Sequence, residues 1–430
     1  MLSKIFSVIP EIFDHSKESL LPKITIGTGF VTQSGAADTV QFDIPAANNG
    51  FTNVHPLRQE MIEAIYDFGI ECNYFPKIAE AKTAILEKIS ASYFIDLAIN
   101  SMPDILDEAK LKVMAKWIYI LFKFDDIIDD KKSIFQDKSI GDRVELASKF
   151  ATESYRMLAT GKLDTNITTE LKHRISAYNK KEWENIERLF TSLNRLHADI
   201  LGLYENNIEI MQKKSEYFRV EVNQYFQSAV TELRALDTVD HSTYLEHRKK
   251  SGAVPTVFAL SMQLYNLDVP DSIKNCDGYL AMLYHANLAI CLVNDGVSSG
   301  KEWDSPEPNY IKVRYSDYKR DGFSSKDSFR KSKEELERLH DKNMYEYLEG
   351  IETLERQASL HQLHMNDSSL LEIDASEKAF QDPDSKISLL YKSYADIIAR
   401  MKSIVENWIL SNFHYSENTD RYKFETKIPE

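Results

Sequence analysis

Apolar residues return at helical spacing along most of the chain, and that periodicity outlines an all-α protein. Hydrophobic side chains recur every three or four positions over about 57–68, 77–89, 91–99 and 106–129. In the last of these stretches Leu111, Met114, Ile118, Leu121 and Phe122 share one face. Further amphipathic helices are expected over 141–160, 165–195 and 215–236, and another begins at Thr243. Ser251-Gly252-Ala253-Val254-Pro255 should break it, because Gly is conformationally permissive and Pro255 has no amide hydrogen to donate. Tyr279 to about Trp303 is the most apolar segment and reads as a core helix. Its longest apolar stretch, Tyr279 to Val293, contains His285 and Asn287 and is too short to span a bilayer. A charged helix over 325–361 and a final helix over 387–412 follow. Two segments lack the pattern. Residues 1–39 mix Gly, Ser, Thr and Ala and are expected to form a flexible N-terminal extension, with the folded domain running from 40 to 430. Residues 365–386 are polar and are expected to be a mobile insertion.

Composition supports the helical reading and narrows the partners. Only 14 Gly and 12 Pro occur among 430 residues, which disfavours a loop-rich β or α/β fold. A net charge of −15 argues against nucleic acid and anionic membrane surfaces, so an anionic ligand would need local cations to bring it in. Cys72, Cys276 and Cys291 are too few and too scattered for a disulfide framework or a thiolate zinc site, and suit a reducing cytosol. Pro10 and Glu11 interrupt the first apolar patch, and no small-residue cleavage pattern follows, so a cytoplasmic location without a secretory signal is expected.

Candidate chemistry gathers at the ends of two apolar helices. Lys123-Phe124-Asp125-Asp126-Ile127-Ile128-Asp129-Asp130 places four carboxylates directly after an apolar run, where burial is costly unless something neutralises them. Asp125 and Asp129 lie four residues apart on one helical face, with Asp126 beside them, and oxygen-only donors suit Mg²⁺. Asn294, Ser298 and Glu302, at i, i+4 and i+8, bring an amide oxygen, a hydroxyl and a carboxylate to one face of the Tyr279 helix. Either group alone also fits a solvated helix end. The histidines show no metal-ligand spacing and read as structural.

Together these residues resemble class I terpene synthases. Asp125-Asp126-Ile127-Ile128-Asp129 is similar to that family's aspartate-rich motif, and Asn294 to Glu302, with Lys301 before the Glu, is similar to its second metal motif. Arg248 stands at the separation from Asn294 of the family's diphosphate-sensing arginine, Gly252 falls at its helix-break effector, and Arg421-Tyr422 resembles its closing pair. Ser251 departs from the usual acidic linker, and Arg314-Tyr315 is a second arginine-tyrosine pair, which we read as a decoy. The likeness covers about residues 40–425 and is to single-domain microbial-type enzymes, similar to the coral terpene cyclases.

The resemblance implies the single-domain class I terpenoid synthase fold, a helical bundle around an apolar cavity. It implies three Mg²⁺ ions held by Asp125, Asp129, Asn294, Ser298 and Glu302, with Asp126 acting on them indirectly. Arg248, Lys301, Arg421 and Tyr422 would bind the diphosphate of a linear prenyl substrate, geranylgeranyl diphosphate ahead of farnesyl diphosphate. Tyr93, Phe94, Phe122 and Tyr284 are candidates for the aromatic cavity wall. No Asp-x-Asp-Asp motif for protonation-initiated cyclisation is present. The enzyme is expected to be a monomer or homodimer. Competing readings are a chain-elongating prenyl diphosphate synthase, which would need a second aspartate-rich motif, and a non-catalytic helical interaction protein.

Overall fold

The fold is known from a computed structural model that describes residues 21–32, 35–45, 54–235, 240–305, 308–369, 383–422 and 426–429. Residues 1–20 of the expected extension, and residues 370–382 of the expected insertion, lie outside the described residues.

Helices dominate, as the periodicity predicts. The first three are α1 (Arg58–Glu71), α2 (Lys82–Ala91) and α3 (Phe94–Asn100). Helix α4 (Glu108–Ile128) begins where the Asp107 carboxylate accepts hydrogen bonds from the Ala109 and Lys110 amides, and it ends at Asp129, whose amide donates to the Asp125 carbonyl. It is buried nearly all round, with Val113, Trp117 and Ile120 enclosed as fully as the expected face, because other helices surround it. Helix α5 spans Arg143–Thr160. The expected helix over 165–195 is two, α6 (Thr165–Tyr178) and α7 (Lys180–Gly202). Between them Asn179 takes extended backbone, and its side chain accepts from the Lys181 amide.

Next come α8 (Ile208–Lys214), α9 (Glu216–Ala235), α10 (His241–Ser251), α11 (Val254–Leu264) and the short α12 (Asp271–Lys274). Helix α13 (Asp277–Glu302) is followed by α14 (Tyr310–Arg320), α15 (Ser325–Ser369) and α16 (Pro383–Asn418). With 26 residues, α13 has the length and hydropathy to cross a membrane, but 67% of its most apolar window is buried inside the protein, where it packs along α15. It serves as the central core helix.

The N-terminal expectation needs correction. Within the supposed flexible extension, β1 (Lys23–Val31) pairs antiparallel with β2 (Ala37–Asp43), and β3 (Thr426–Lys427) joins β1 in parallel, giving the order β2-β1-β3. Ile26, Thr28 and Phe30 on β1, with Val40 and Phe42 on β2, are buried. That alternate burial is the period of two of a strand with one covered face, and the ribbon packs on α13 and α15.

Candidate active site

Seven helices, α3, α4, α9, α10, α11, α13 and α16, enclose a cavity of about 560 Å³. Its depths are apolar, with Ile118, Leu121, Val257 and Ile290 among the lining residues, and its mouth carries the two sequence motifs. Asp125, Asp126 and Asp129 line it from the end of α4, and Asn294, Lys301 and Glu302 from the end of α13. Arg248, Gly252, Arg421 and Tyr422 line it as well. Ser298 alone of the expected metal- and diphosphate-binding residues is set back: its buried hydroxyl donates to Glu302 Oε2 at 2.9 Å. The helical spacing read from the sequence thus brings both motifs to one opening.

Each rim is held by neighbours. On the α4 side the Tyr225 hydroxyl, from α9, donates to Asp125 Oδ1 at 2.6 Å. Asp126 accepts from Lys123 Nζ at 2.9 Å and from both terminal nitrogens of Arg421 at 3.4 Å. Across the mouth, Arg248 donates through Nε to Asp295 Oδ1 at 2.9 Å and through Nη2 to Asn294 Oδ1 at 2.7 Å. The Tyr244 hydroxyl donates to Asp295 Oδ2 at 2.5 Å. Asn294 Nδ2 donates in turn to the Tyr422 hydroxyl at 2.7 Å, so one amide joins Arg248 to Tyr422. Asn309, which caps α14, donates to Glu302 Oε2 at 3.0 Å and to the Asp295 carbonyl at 2.8 Å. Lys131 Nζ reaches the Asp304 carbonyl at 3.0 Å, tying the loops beyond the two rims together.

The cavity mouth is electrostatically strained. Seven acidic side chains line the cavity (Asp125, Asp126, Asp129, Asp130, Glu232, Asp295 and Glu302) against four basic ones (Lys131, Arg248, Lys301 and Arg421). Burial pushes the Asp125 carboxyl above its ordinary value, against the opposing effects of Tyr225 and Arg421. Burial likewise raises Asp295 to about 6, although Arg248 and Tyr244 oppose it. Asp126 is held low: burial raises it, but Lys123 and Arg421 outweigh that. Displaced ionisation in a cleft is a common feature of functional sites.

At the α10–α11 break the glycine is required for space. Gly252 has ordinary helical backbone, but a Cβ there would stand 2.2 Å from Cys291 Sγ on α13. The left-handed residue is its neighbour Ala253, at φ 59°, which opens α11 ahead of Pro255. Ser251, Gly252, Ala253 and Val254 all face the cavity.

Of the aromatic candidates, Phe122 lines the cavity and Tyr93, Phe94 and Tyr284 do not. Phe94 packs behind Phe122 at 6.4 Å, Tyr93 against His414 at 6.0 Å, and Tyr284 against His285 at 4.9 Å. Helical position alone does not tell which neighbour stands in between. Phe124, Tyr225, Trp408 and Tyr415 also line the wall, with Phe122 and Tyr415 stacked 5.8 Å apart. Arg421 lies over the Phe122 ring at 4.8 Å. Arg314 is engaged elsewhere, with Glu335 at 2.9 Å and Asp317 at 2.8 Å, and does not line the cavity.

The donors at the mouth are hard oxygens, which suit a small divalent cation. Among the described residues no three His, Cys, Asp or Glu side chains converge on one point.

A family model described as terpene synthase family 2, C-terminal metal binding, matches residues 116–342, more than half of the chain and including both motifs and Arg248. No curated protein matches. Among solved structures, α-eudesmol synthase is 15% identical with a TM-score of 0.58, over 88% of this chain and 98% of that one. A single-substitution form of cucumene synthase is 12% identical with a TM-score of 0.55, over 87% and 99%. Germacradien-4-ol synthase from Streptomyces citricolor is 17% identical with a TM-score of 0.50, over 85% and 95%. At these identities the likeness to the solved structures is one of fold. With the family model matching over both motifs, the chain belongs to terpene synthase family 2 and is a class I terpene synthase, a lyase.

Proposed function

We propose that this enzyme is a Mg²⁺-dependent cyclase that ionises a linear prenyl diphosphate and folds the resulting allylic cation into a ring product. Geranylgeranyl diphosphate is the favoured substrate, with farnesyl diphosphate next. The observation that carries the reading is one cavity of about 560 Å³ whose mouth bears both acidic motifs with Arg248, Lys301, Arg421 and Tyr422, over an apolar and aromatic interior. Its volume lies within the range of small-molecule pockets.

Asp125 and Asp129 on one rim, and Asn294, Ser298 and Glu302 on the other, would hold the metal, three ions by the family resemblance. When bound, Mg²⁺ supplies Lewis-acid stabilisation of the departing diphosphate. Arg248, Lys301 and Arg421 offer charge-assisted hydrogen bonds to the phosphoryl oxygens, and Tyr422 a neutral one. Asp126, which Arg421 approaches, acts on the site indirectly by orienting that arginine. Phe122, Trp408 and Tyr415 line the cavity, where a ring face turned to a developing cation would be worth about 0.5–2 kcal/mol. The apolar walls exclude the water that would otherwise trap it.

Asn294 and Ser298, where a second aspartate-rich motif would stand, disfavour the chain-elongating reading. We take the working unit to be a monomer or homodimer of the cytoplasm, and its free Cys72, Cys276 and Cys291 suit that compartment. The test is incubation of purified protein with Mg²⁺ and each of geranyl, farnesyl and geranylgeranyl diphosphate, with volatile products identified by mass spectrometry. A cyclic product from one of them is expected. No conversion of any would overturn the reading, and the substrate consumed assigns the chain length.

A further inference from the structure

The helix that carries the second metal motif lies in backbone contact with the N-terminal ribbon. A Cβ on Gly300 would stand 2.4 Å from the Gly29 carbonyl, and Ser299 Oγ donates to the Thr28 carbonyl at 3.2 Å. The same place receives the C-terminal strand. Phe30 pairs with Thr426 and Val31 with Lys427, the Ile428 amide donates to the Val31 carbonyl at 3.2 Å, and the Thr426 hydroxyl donates to the Gly300 carbonyl at 2.7 Å. Thr426 is four residues beyond Tyr422, and four residues reach at most about 14 Å. The docked strand therefore limits how far the turn Asp420–Tyr422 can leave the cavity mouth.

We propose that β3, docked on β1 and on Gly300, is a latch that holds Arg421 and Tyr422 over the cavity, with Thr426 as the positioning residue. A two-residue pairing is weak enough to open and admit substrate, whereas the ribbon and α13 beneath it are packed into the core. The turn itself reaches the site through Arg421 on Asp126 at 3.4 Å and Tyr422 on Asn294 at 2.7 Å. With the latch open, water reaches the cation: its oxygen bonds to the cationic carbon and the proton passes to solvent, giving an alcohol in place of the product formed by proton loss. The chemical part rests on the cyclase reading, and the structural part does not.

Two variants separate the parts. Thr426→Val removes the hydroxyl bond to Gly300 while keeping the β-branched shape, and Ile428→Pro removes the amide that bonds Val31. Hydrogen exchange over 415–422 is measured on the full chain without substrate, where each variant should exchange about two- to tenfold faster, the factor that one lost hydrogen bond makes in an opening equilibrium. Far-ultraviolet circular dichroism should stay that of the parent. With whichever prenyl diphosphate the parent converts, kcat should fall more than KM rises, and the water-captured share of product should increase. Unchanged exchange in both variants would overturn the latch. Faster exchange with an unchanged product profile would overturn its role in excluding water. If the parent converts no prenyl diphosphate, the cyclase reading fails while the exchange result still decides the latch.

Discussion

Asp125 and Asn294 occupy opposite rims and are held differently. Asp125 keeps one oxygen on Tyr225, whereas Asn294 commits its amide to Arg248 and Tyr422. On the proposed reading, Asp125→Ala removes a metal donor, and it leaves the Tyr225 hydroxyl to the cavity. Asn294→Ala also frees Arg248 and Tyr422 from the amide that joins them. Each should lower kcat by about a hundredfold or more, the upper range for loss of groups that orient a metal site, with circular dichroism unchanged. Near-normal turnover in either would remove that residue from the site. Arg421→Ala should likewise reduce turnover far more than Arg314→Ala, which breaks ion pairs to Glu335 and Asp317 and a contact with the Tyr318 ring away from the cavity; steady-state rates on the same substrate decide it. The motif residues were legible because they sit at fixed spacing on single helices. Tyr225 and Asn309 were not, since Tyr225 meets Asp125 across 100 residues, and an isolated Tyr or a helix-capping Asn carries no sign of its partner. Asp295 stood in plain view beside Asn294, but only the approach of Arg248 and Tyr244 gives it a role.

The break between α10 and α11 shows how an element can be rightly expected for an incomplete reason. Gly and Pro announced it, yet what Gly252 supplies is space against Cys291 rather than an unusual backbone angle. Gly252→Ala should therefore cost about 1–3 kcal/mol through overpacking, and Cys291→Ala in the same chain should recover most of it. Thermal unfolding of the single and double variants measures this, and no recovery in the double variant would mean that the backbone angle matters more. Helices were easy to read because their period persists over many residues. The ribbon was missed because only Ile24, Ile26, Thr28 and Phe30 alternate, and Gly27 and Gly29 between them resemble a loop. Gly29 instead lets β1 approach α13, where it meets Gly300. Burial is what distinguishes the two readings, and it depends on α13 and α15, hundreds of positions away in sequence.

At the scale of the molecule, the acidic excess of the chain is repeated inside it. A net charge of −15 surrounds a cavity lined by seven acidic and four basic side chains, so the long-range field and the local one both repel a free diphosphate. Metal held at the two rims, as proposed, would reverse that sign at the mouth, so binding of anion and metal should be strongly coupled. Inorganic diphosphate alone should leave the unfolding temperature unchanged, and Mg²⁺ alone should raise it little, since no three acidic, His or Cys side chains converge among the described residues. Together, at about one hundred times the dissociation constant, they should stabilise the native state by about 2.7 kcal/mol. For a chain of 430 residues that is a rise on the order of 3 °C, readable by differential scanning fluorimetry. Asp125→Ala and Asn294→Ala should each weaken the joint shift, because the site needs both rims. An equal shift from diphosphate without metal would mean that Arg248, Lys301 and Arg421 suffice to bind the anion, and the two acidic rims would then need another explanation.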